Sequence, residues 1–489
     1  MRKGGVSTVI LGASTLALSL TLAAPVRADT LQEALTRAYN DNPTLLAARA
    51  NQRGVDENVA IDKARGRPTL NTTATYIEFL KVSPNSFTAP ERTLQVGPEL
   101  NVPVYQGGAI KNAIKASEER VSAGQADLRG TESSVFSQVV AAYMDVLRNQ
   151  ALVGLSSNQV DVLMINLEAT SDRFEIGDLT RTDVAQSRSR LAVAQSDFRT
   201  AQANLIAARE TYTQLVGAAP DALEPPPPLP GLPDDVEQAV LIAMENNPDL
   251  IAARERAEAA GFDSEVAGAG RQPTVGLFAR GQYQDFFGTL GGPVSADFTQ
   301  NETTANAGVQ VSIPIFQGGL TAARQRQAFA RESASLEQVI AAERNIIAQT
   351  RSSWSSWQAS LAIIDSANAA VQAAELSLEG VRAENSIGNR SILDVLNAEQ
   401  ELLSARVQLV TARRNAYVAG FSLLAAMGRA EARDLGLVGE GLLYDPEVNY
   451  RRVRGKFWDF DRDPEPEAQS TSTRDIPAAD ALIGPQLED

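Results

Sequence analysis

Neither cysteine nor histidine occurs anywhere in the 489 residues of this chain. Without Cys there are no disulfides, no thiolate chemistry and no acceptor for N-terminal lipidation. Without His no Ser-His-Asp or Cys-His arrangement and no His-containing zinc site can be built, so carboxylates, Lys and Tyr are the remaining acid-base groups. No catalytic residues, metal ligands or cofactors are expected. Positive charge is also scarce: 44 Lys and Arg against 60 Asp and Glu leave a formal charge of −16. Such a surface repels nucleic acid and anionic lipid, so no nucleic-acid partner is expected. Aromatics make up only 6% while Ala is abundant, a composition suited to long, closely packed helices. Beyond the first residues, no apolar run is long enough for a transmembrane helix.

Those first residues read as a secretory signal over 1–28. Arg2 and Lys3 precede an apolar run from Val6 through Ala24, and Val26-Arg27-Ala28 forms a small-x-small cleavage site before Asp29. The chain therefore leaves the cytoplasm, and cleavage makes the remainder still more acidic.

The remainder is written twice. Asn42-Pro43 with Leu45, Ala47, Ala48 and Arg49 returns as Asn247-Pro248 with Leu250, Ala252, Ala253 and Arg254, and Pro68 returns as Pro273, all 205 residues apart. Pro103-Val104-Tyr105-Gln106-Gly107-Gly108 returns as Pro314-Ile315-Phe316-Gln317-Gly318-Gly319, and Gly177, Asp183, Val184 and Gly217 return as Gly388, Asp394, Val395 and Gly428, all 211 apart. The six-residue difference falls between Pro68 and Pro103. Two copies of one large unit differ in a single loop.

Each copy holds a Pro-free stretch after its Gly-Gly, long enough for a helix on the order of 100 Å. In the second, Ile340, Ile347, Trp354 and Leu361 recur at heptad spacing, with Trp357, Ile364, Val371 and Leu378 as a second series. Phe136, Tyr143, Val146, Val153, Val160 and Leu167 match them in the first. Beyond Gly177 and Gly388 the seam resumes as Val184, Leu191, Phe198, Leu205 and Tyr212, and as Val395, Leu402, Leu409, Ala416 and Leu423. Each copy thus reads as a long helix and a shorter one folded back as an antiparallel coiled coil, whose seam packs and does no chemistry. Between the helices the pattern changes to strands, 68–82 and 93–105 around the turn Ser83-Pro84-Asn85-Ser86, then 273–287 and 302–316 around Gly288, Gly291, Gly292 and Pro293. Four strands can neither close a barrel nor survive in lipid as an open sheet, so chains must pool them if they span a membrane.

The expected order is a signal peptide at 1–28, a first repeat at 29–224, a Pro-rich linker at 225–233, a second repeat at 234–428, a wrapping segment at 429–458 and an acidic, disordered tail at 459–489. The first repeat comprises helices in 29–66, a hairpin at 68–105, a long helix at 108–176 and a helix at 178–216. The second comprises helices in 234–271, a hairpin at 273–316, a long helix at 319–386 and a helix at 391–427.

The signal peptide, the duplication, the two hairpins flanked by coiled coils and the Pro-x-Tyr/Phe-Gln-Gly-Gly junctions together resemble the TolC family of outer-membrane channel-tunnels, over Thr30 to Trp458. The resemblance implies a mainly α protein with membrane β: a homotrimer in which three protomers close a 12-stranded barrel in outer-membrane lipid above a periplasmic α-barrel. It implies a passive exit duct, not an enzyme, working with a periplasmic adaptor and an inner-membrane transporter of ABC or RND type, in type I protein secretion, efflux or both. The turn Gly388-Asn389-Arg390-Ser391-Ile392-Leu393-Asp394-Val395-Leu396-Asn397 is similar to the family's entrance motif, in which two acidic residues three apart form a constricting ring. Asp394 matches the first and Asn397 replaces the second, which implies weaker cation selectivity. Arg390 matches a gate arginine, with Thr182 and Asp183 as its latch partners, and Asn385 stands where a tyrosine commonly joins the latch. The turns at Gly177, Asp178 and Leu179, and at Gly388 and Asn389, resemble adaptor-contact tips; as bare sequence they are also helix terminators. A periplasmic coiled-coil scaffold without a pore is the alternative reading.

Overall fold

The computed structural model describes residues 29–82, 89–437 and 443–482. The signal peptide and the Ser83–Ser86 turn lie outside these residues. The first repeat runs α1 (Leu31–Asp41), α2 (Pro43–Ala64), β1 (Thr69–Glu78), β2 (Arg92–Gln106), α3 (Ala109–Glu175) and α4 (Arg181–Val216). The second runs α5 (Val236–Asn246), α6 (Pro248–Ala269), β3 (Thr274–Asp285), β4 (Asn301–Ser312), α7 (Leu320–Ser386) and α8 (Ile392–Ala426), with α9 (Pro446–Val453) beyond it.

The duplication is visible in individual hydrogen bonds. Asn42 ends α1 and caps α2, its side-chain oxygen accepting from the Thr44 and Leu45 N–H groups while Pro43 fills the first helical position, where no N–H is needed. Its amide donates to the Leu215 carbonyl at 2.9 Å. Asn247 caps α6 in the same way and donates to the Ala426 carbonyl at 2.9 Å. At the strand-to-helix junctions, Gly108 and Gly319 sit at φ 85° and 80°, which turns the chain from β2 and Gln317 directly into α3 and α7.

α3 pairs antiparallel with α4, α7 with α8, and α3 also packs against α6. The main core lies midway along, where Phe136, Tyr143, Leu205, Tyr212 and Leu423 are fully buried with α1 and α5. The Tyr143 hydroxyl donates to the Glu224 carbonyl at 2.6 Å and reaches the Asp29 carbonyl at 2.9 Å, so it ties the start of the first repeat to its end.

The two long helices differ in burial although their sequences correspond. α3 buries twenty residues and α7 only five. Ile340 and Leu361, expected in the seam, are 43% and 39% exposed, while Ala374 and Leu378 carry the contact with α8. The physical reason is that α3 has neighbours on both flanks whereas α7 has α6, α5 and α8 and an open side. The strands show the same asymmetry. The sheet is antiparallel in the order β1-β2-β3-β4. β2 pairs out to Gln106 against β3, but β4 stops at Ser312, short of the expected Phe316, because no strand among the described residues pairs with 313–316.

The acidic segment after 459 has no helix or strand through Leu482, yet it is not a free tail as expected. Asp463 pairs with Arg452 at 2.7 Å and Lys456 at 3.1 Å, the Ala479 N–H donates to Glu210 at 2.8 Å, and Arg209 binds Asp480 at 2.8 Å. Arg209 and Glu210, both on α4, thus hold a stretch of chain that composition alone leaves unconstrained. Residues 483–489 are outside the described part.

Glu132 of α3 is half-buried beside the same core and accepts from the Ala432 N–H at 2.6 Å. Burial pushes its carboxyl up to about 7, with Glu431 adding to the shift and Arg49 and Arg433 opposing it. A folded-state value above the unfolded one means the folded chain binds the extra proton, so this group's contribution to stability falls as pH rises from about 4.5 to about 7. Glu132→Gln keeps an acceptor for Ala432 and removes the buried charge. We expect it to raise the melting temperature at about pH 8 and to leave it unchanged at about pH 4.5, measured by circular dichroism.

Candidate functional site

The four strands divide their side chains by chemistry. On one face the register aligns Ala74 with Val96, Tyr76 with Leu94, Leu100 with Ala279, and Leu277 with Val309. On the other it aligns Thr75 with Gln95, Glu99 with Arg280, and Gln282 with Thr304. Arg280 Nε donates to Glu99 at 2.9 Å, the Asn101 amide donates to the same carboxylate at 3.2 Å, and the Arg280 guanidinium lies 5.1 Å from the Phe278 ring. β2 and β3 approach so closely that a Cβ at Gly97 would overlap the Gly281 carbonyl, which fixes glycine there. The outer edges of β1 and β4 have no partner strand among the described residues. No helix among the described residues is long and apolar enough to cross a membrane.

At the opposite end lie the two helical turns. Gly177 and Gly388 adopt φ 85° and 82°, ending α3 and α7. α4 and α8 then start with matching capping boxes. Thr180 caps Asp183, whose carboxylate accepts from the Thr180 hydroxyl at 2.7 Å and N–H at 2.9 Å. Ser391 and Asp394 repeat this at 2.7 and 3.0 Å. These bonds, side chain first and backbone second, hold both carboxyls below the usual aspartate range, so they are anionic at neutral pH. Asp183 and Asp394 are therefore equivalent residues with the same local job.

The latch expected between Arg390 and Asp183 does not form within the chain. Arg390 Nε binds Glu384 at 2.7 Å, and Asn385 donates to the Arg390 carbonyl at 2.7 Å. Local geometry decides this: six residues around a tight turn bring Glu384 to Arg390, while Asp183 belongs to the other coiled coil. Thr182 is exposed. In the first turn Asp178 pairs with Arg173 at 2.6 Å. Leu179 is half-buried and Asn389 exposed, beside Ile176 and Ile387, which are 80% and 72% exposed. Asn397 does not stand free beside Asp394, since its side-chain oxygen accepts from Arg190 of α4 at 3.0 Å.

That contact belongs to a clasp that sequence reasoning missed. Glu399, further along α8 and 3% exposed, accepts from Asn166 of α3 at 2.9 and 3.0 Å and from Arg382 of α7 at 3.1 Å. Leu396 packs beside it on Leu163 and Ala194. The two coiled coils are joined here, a few turns above their tips. A signal was present: a Glu in the row of Val395 and Leu402 occupies a seam side where an apolar residue is expected.

The sequence profile described as outer membrane efflux protein matches residues 34–218 and 240–429, both repeats almost entirely. The chain belongs to that family. It is 34% identical over 430 residues to the outer membrane efflux protein BepC of Brucella suis, covering 88% of this chain and 91% of that one. It is 26% identical to the outer membrane protein TolC of Escherichia coli, over 70% of this chain and 71% of TolC. Among solved structures, VceC of Vibrio cholerae aligns with a TM-score of 0.70 at 24% identity, covering 81% of this chain and 96% of VceC. The fold is therefore that of outer-membrane channels, and the protein is an outer-membrane protein of a channel family.

One carboxylate group among the described residues, Glu119 with Glu255 and Glu258, is close enough to approach a cation. Burial, then a hydrogen bond to Glu255, pushes Glu119 up to about 7. Removing the clasp carboxylate is more consequential. Glu399→Ala leaves Asn166 and Arg382 without their acceptor and should weaken the join by about 2 kcal/mol, the scale of a charge-assisted hydrogen bond. Hydrogen exchange should speed up in 160–168 and 395–403 and stay unchanged in the Phe136 core.

Proposed function

We propose that the chain is one protomer of a homotrimeric outer-membrane exit duct. Three four-stranded sheets close a 12-stranded barrel, with the apolar face toward lipid and the face carrying Glu99 and Arg280 toward the water-filled lumen. The observation that carries this reading is the division of the sheet into one apolar and one polar face, with both edges unpaired among the described residues. A scaffold without a pore has no use for an apolar sheet face, and backbone edges left open in lipid would cost several kcal/mol per group. The α-helical layer continues the duct into the periplasm. The conduit is passive: a periplasmic adaptor meets the tips at Gly177–Leu179 and Gly388–Asn389, and an inner-membrane transporter of ABC or RND type supplies the energy. The name of BepC supports efflux as the export task; that of AprF of Pseudomonas aeruginosa, an alkaline protease secretion protein 28% identical over 316 residues, supports polypeptide secretion.

The gate in this reading is at the periplasmic tips. Asp394 supplies one carboxylate per protomer to a constricting ring, with the Asn397 position neutral. Because Arg390 and Asp183 are apart within one chain, a latch joining Arg390 to Thr182 and Asp183 forms between copies or not at all.

In planar bilayers the wild-type protein should give discrete conductance steps. Arg390→Ala should raise the conductance, and Asp394→Asn should lower the preference for cations. Unchanged conductance and selectivity in both variants would remove the gate assignment. The absence of native Cys allows a single thiol at Thr180 or Ser391 to carry a photo-cross-linker in living cells. Capture of an adaptor paired with an ATP-driven exporter means protein secretion, and of one paired with a proton-driven pump, efflux.

A further inference from the structure

The segment that follows α9 exposes aromatic side chains beside the start of the sheet. α9 packs along α2 and runs toward the strands: Asn449 donates to Asp56 at 2.7 Å, and further on Arg67 donates to the Lys456 carbonyl while its guanidinium lies 5.2 Å from the Phe457 ring. Arg67 and Pro68 lead straight into β1 at Thr69, and Leu70, paired with Leu100, opens the apolar face of that strand. Phe457, Trp458 and Phe460 are 56%, 76% and 89% exposed.

The loop that carries these rings is closed by its charges. Arg452 and Lys456 bind Asp463 at 2.7 and 3.1 Å, and Lys456 also binds Asp461 at 3.3 Å, which draws the two ends of the loop together. Phe457 and Trp458 stack edge to face with centroids 5.4 Å apart. Ion pairs thus hold the base while the aromatics stay outside, the reverse of the arrangement that water favours. The other two tryptophans, Trp354 and Trp357, are half-buried.

We infer that Phe457, Trp458 and Phe460 form an anchor seated in the periplasmic leaflet of a phospholipid bilayer, beside the barrel and level with the edge of its apolar band. The inference rests on the reading of the sheet as membrane-spanning, and it assigns a lipid contact to a segment that lies outside the strands. Two observations select lipid as the occupant. The first is continuity: Arg67 joins the loop to the strand that bears Leu70, so a leaflet covering the apolar face of β1 reaches the aromatic rings as well. The second is charge. Residues 451–463 and the adjoining 63–68 carry eight Lys and Arg against three Asp, in a chain whose formal charge is −16. The acidic surface as a whole repels anionic headgroups, whereas this patch attracts their phosphates. Aromatic rings flanked by basic side chains are suited to the headgroup level, where one part of a ring meets acyl chains and another meets water. The anchor would also tie α9, and through Asn449 the upper part of α2, to the membrane surface.

The full chain, reconstituted in vesicles of phosphatidylethanolamine and phosphatidylglycerol, allows a direct test by fluorescence. Phospholipids brominated near the top of their acyl chains should quench the emission contributed by one tryptophan of three, and Trp458→Phe should abolish that loss. Trp354 and Trp357 lie about 50 Å along α7 from its start at Leu320, out of reach of a quencher in the bilayer. In the Trp458→Phe background, Phe460→Trp should restore the quenching. Equal quenching of the wild type and Trp458→Phe overturns the anchor. So does a Trp458 emission quenched by aqueous iodide instead, which places the ring in water, or by neither agent, which places it against a second copy. Flotation separates this failure from that of the membrane reading. Wild-type protein that does not float with the vesicles overturns the membrane reading and the anchor with it, whereas floating protein without lipid quenching overturns the anchor alone.

Discussion

In the proposed barrel, an unpaired backbone edge in hydrocarbon governs this protein. Each N–H and C=O left without a partner in lipid costs free energy that no side chain can offset, so a four-stranded sheet with an apolar face is unfinished by itself. The bare edges of β1 and β4, the unpaired 313–316 segment and the poor burial of α7 beside the well-buried α3 are one fact seen at three levels. Within one chain β2 of the first repeat pairs with β3 of the second, and β4 has no further partner strand among the described residues.

Duplication explains how one set of local signals serves both halves of such a chain. Asn42 and Asn247, Gly108 and Gly319, and the capping boxes Thr180–Asp183 and Ser391–Asp394 perform the same local tasks at equivalent places. Where the copies differ, they specialise. Tip one closes with Arg173 on Asp178 and tip two with Arg390 on Glu384, so the equivalent positions 173 and 384 carry opposite charges. Helix α9 straps the first repeat, through Asn449 on Asp56 at 2.7 Å.

The tips hold little buried apolar surface, and the nearest firm join between the coiled coils is the Glu399 clasp. Its members are Asn166, Arg382 and the adjacent Arg190–Asn397 bond. Leu396 on Leu163 and Ala194 adds an apolar contact to the clasp; in the proposed gate, water would take over the polar bonds as the tips part. The Phe136–Tyr143–Tyr212 core further along is fully buried and separate from the clasp.

Much of this was legible in the sequence because it is periodic or local. Heptads place the coiled coils, Gly and Pro place the junctions, and the two constant offsets place every element of the second repeat against the first. Sequence alone also placed Asp394 and Asp183 as equivalents, since one offset relates them. What it could not give were contacts between segments far apart in the chain: Glu399 with Asn166, Asn397 with Arg190, the acidic segment on Arg209, and the separation of Arg390 from Asp183. Local propensity is written residue by residue, whereas such pairings depend on which helix faces which and on the rotation of each about its axis. Only the tertiary structure fixes those angles, and with them which side of α7 remains open.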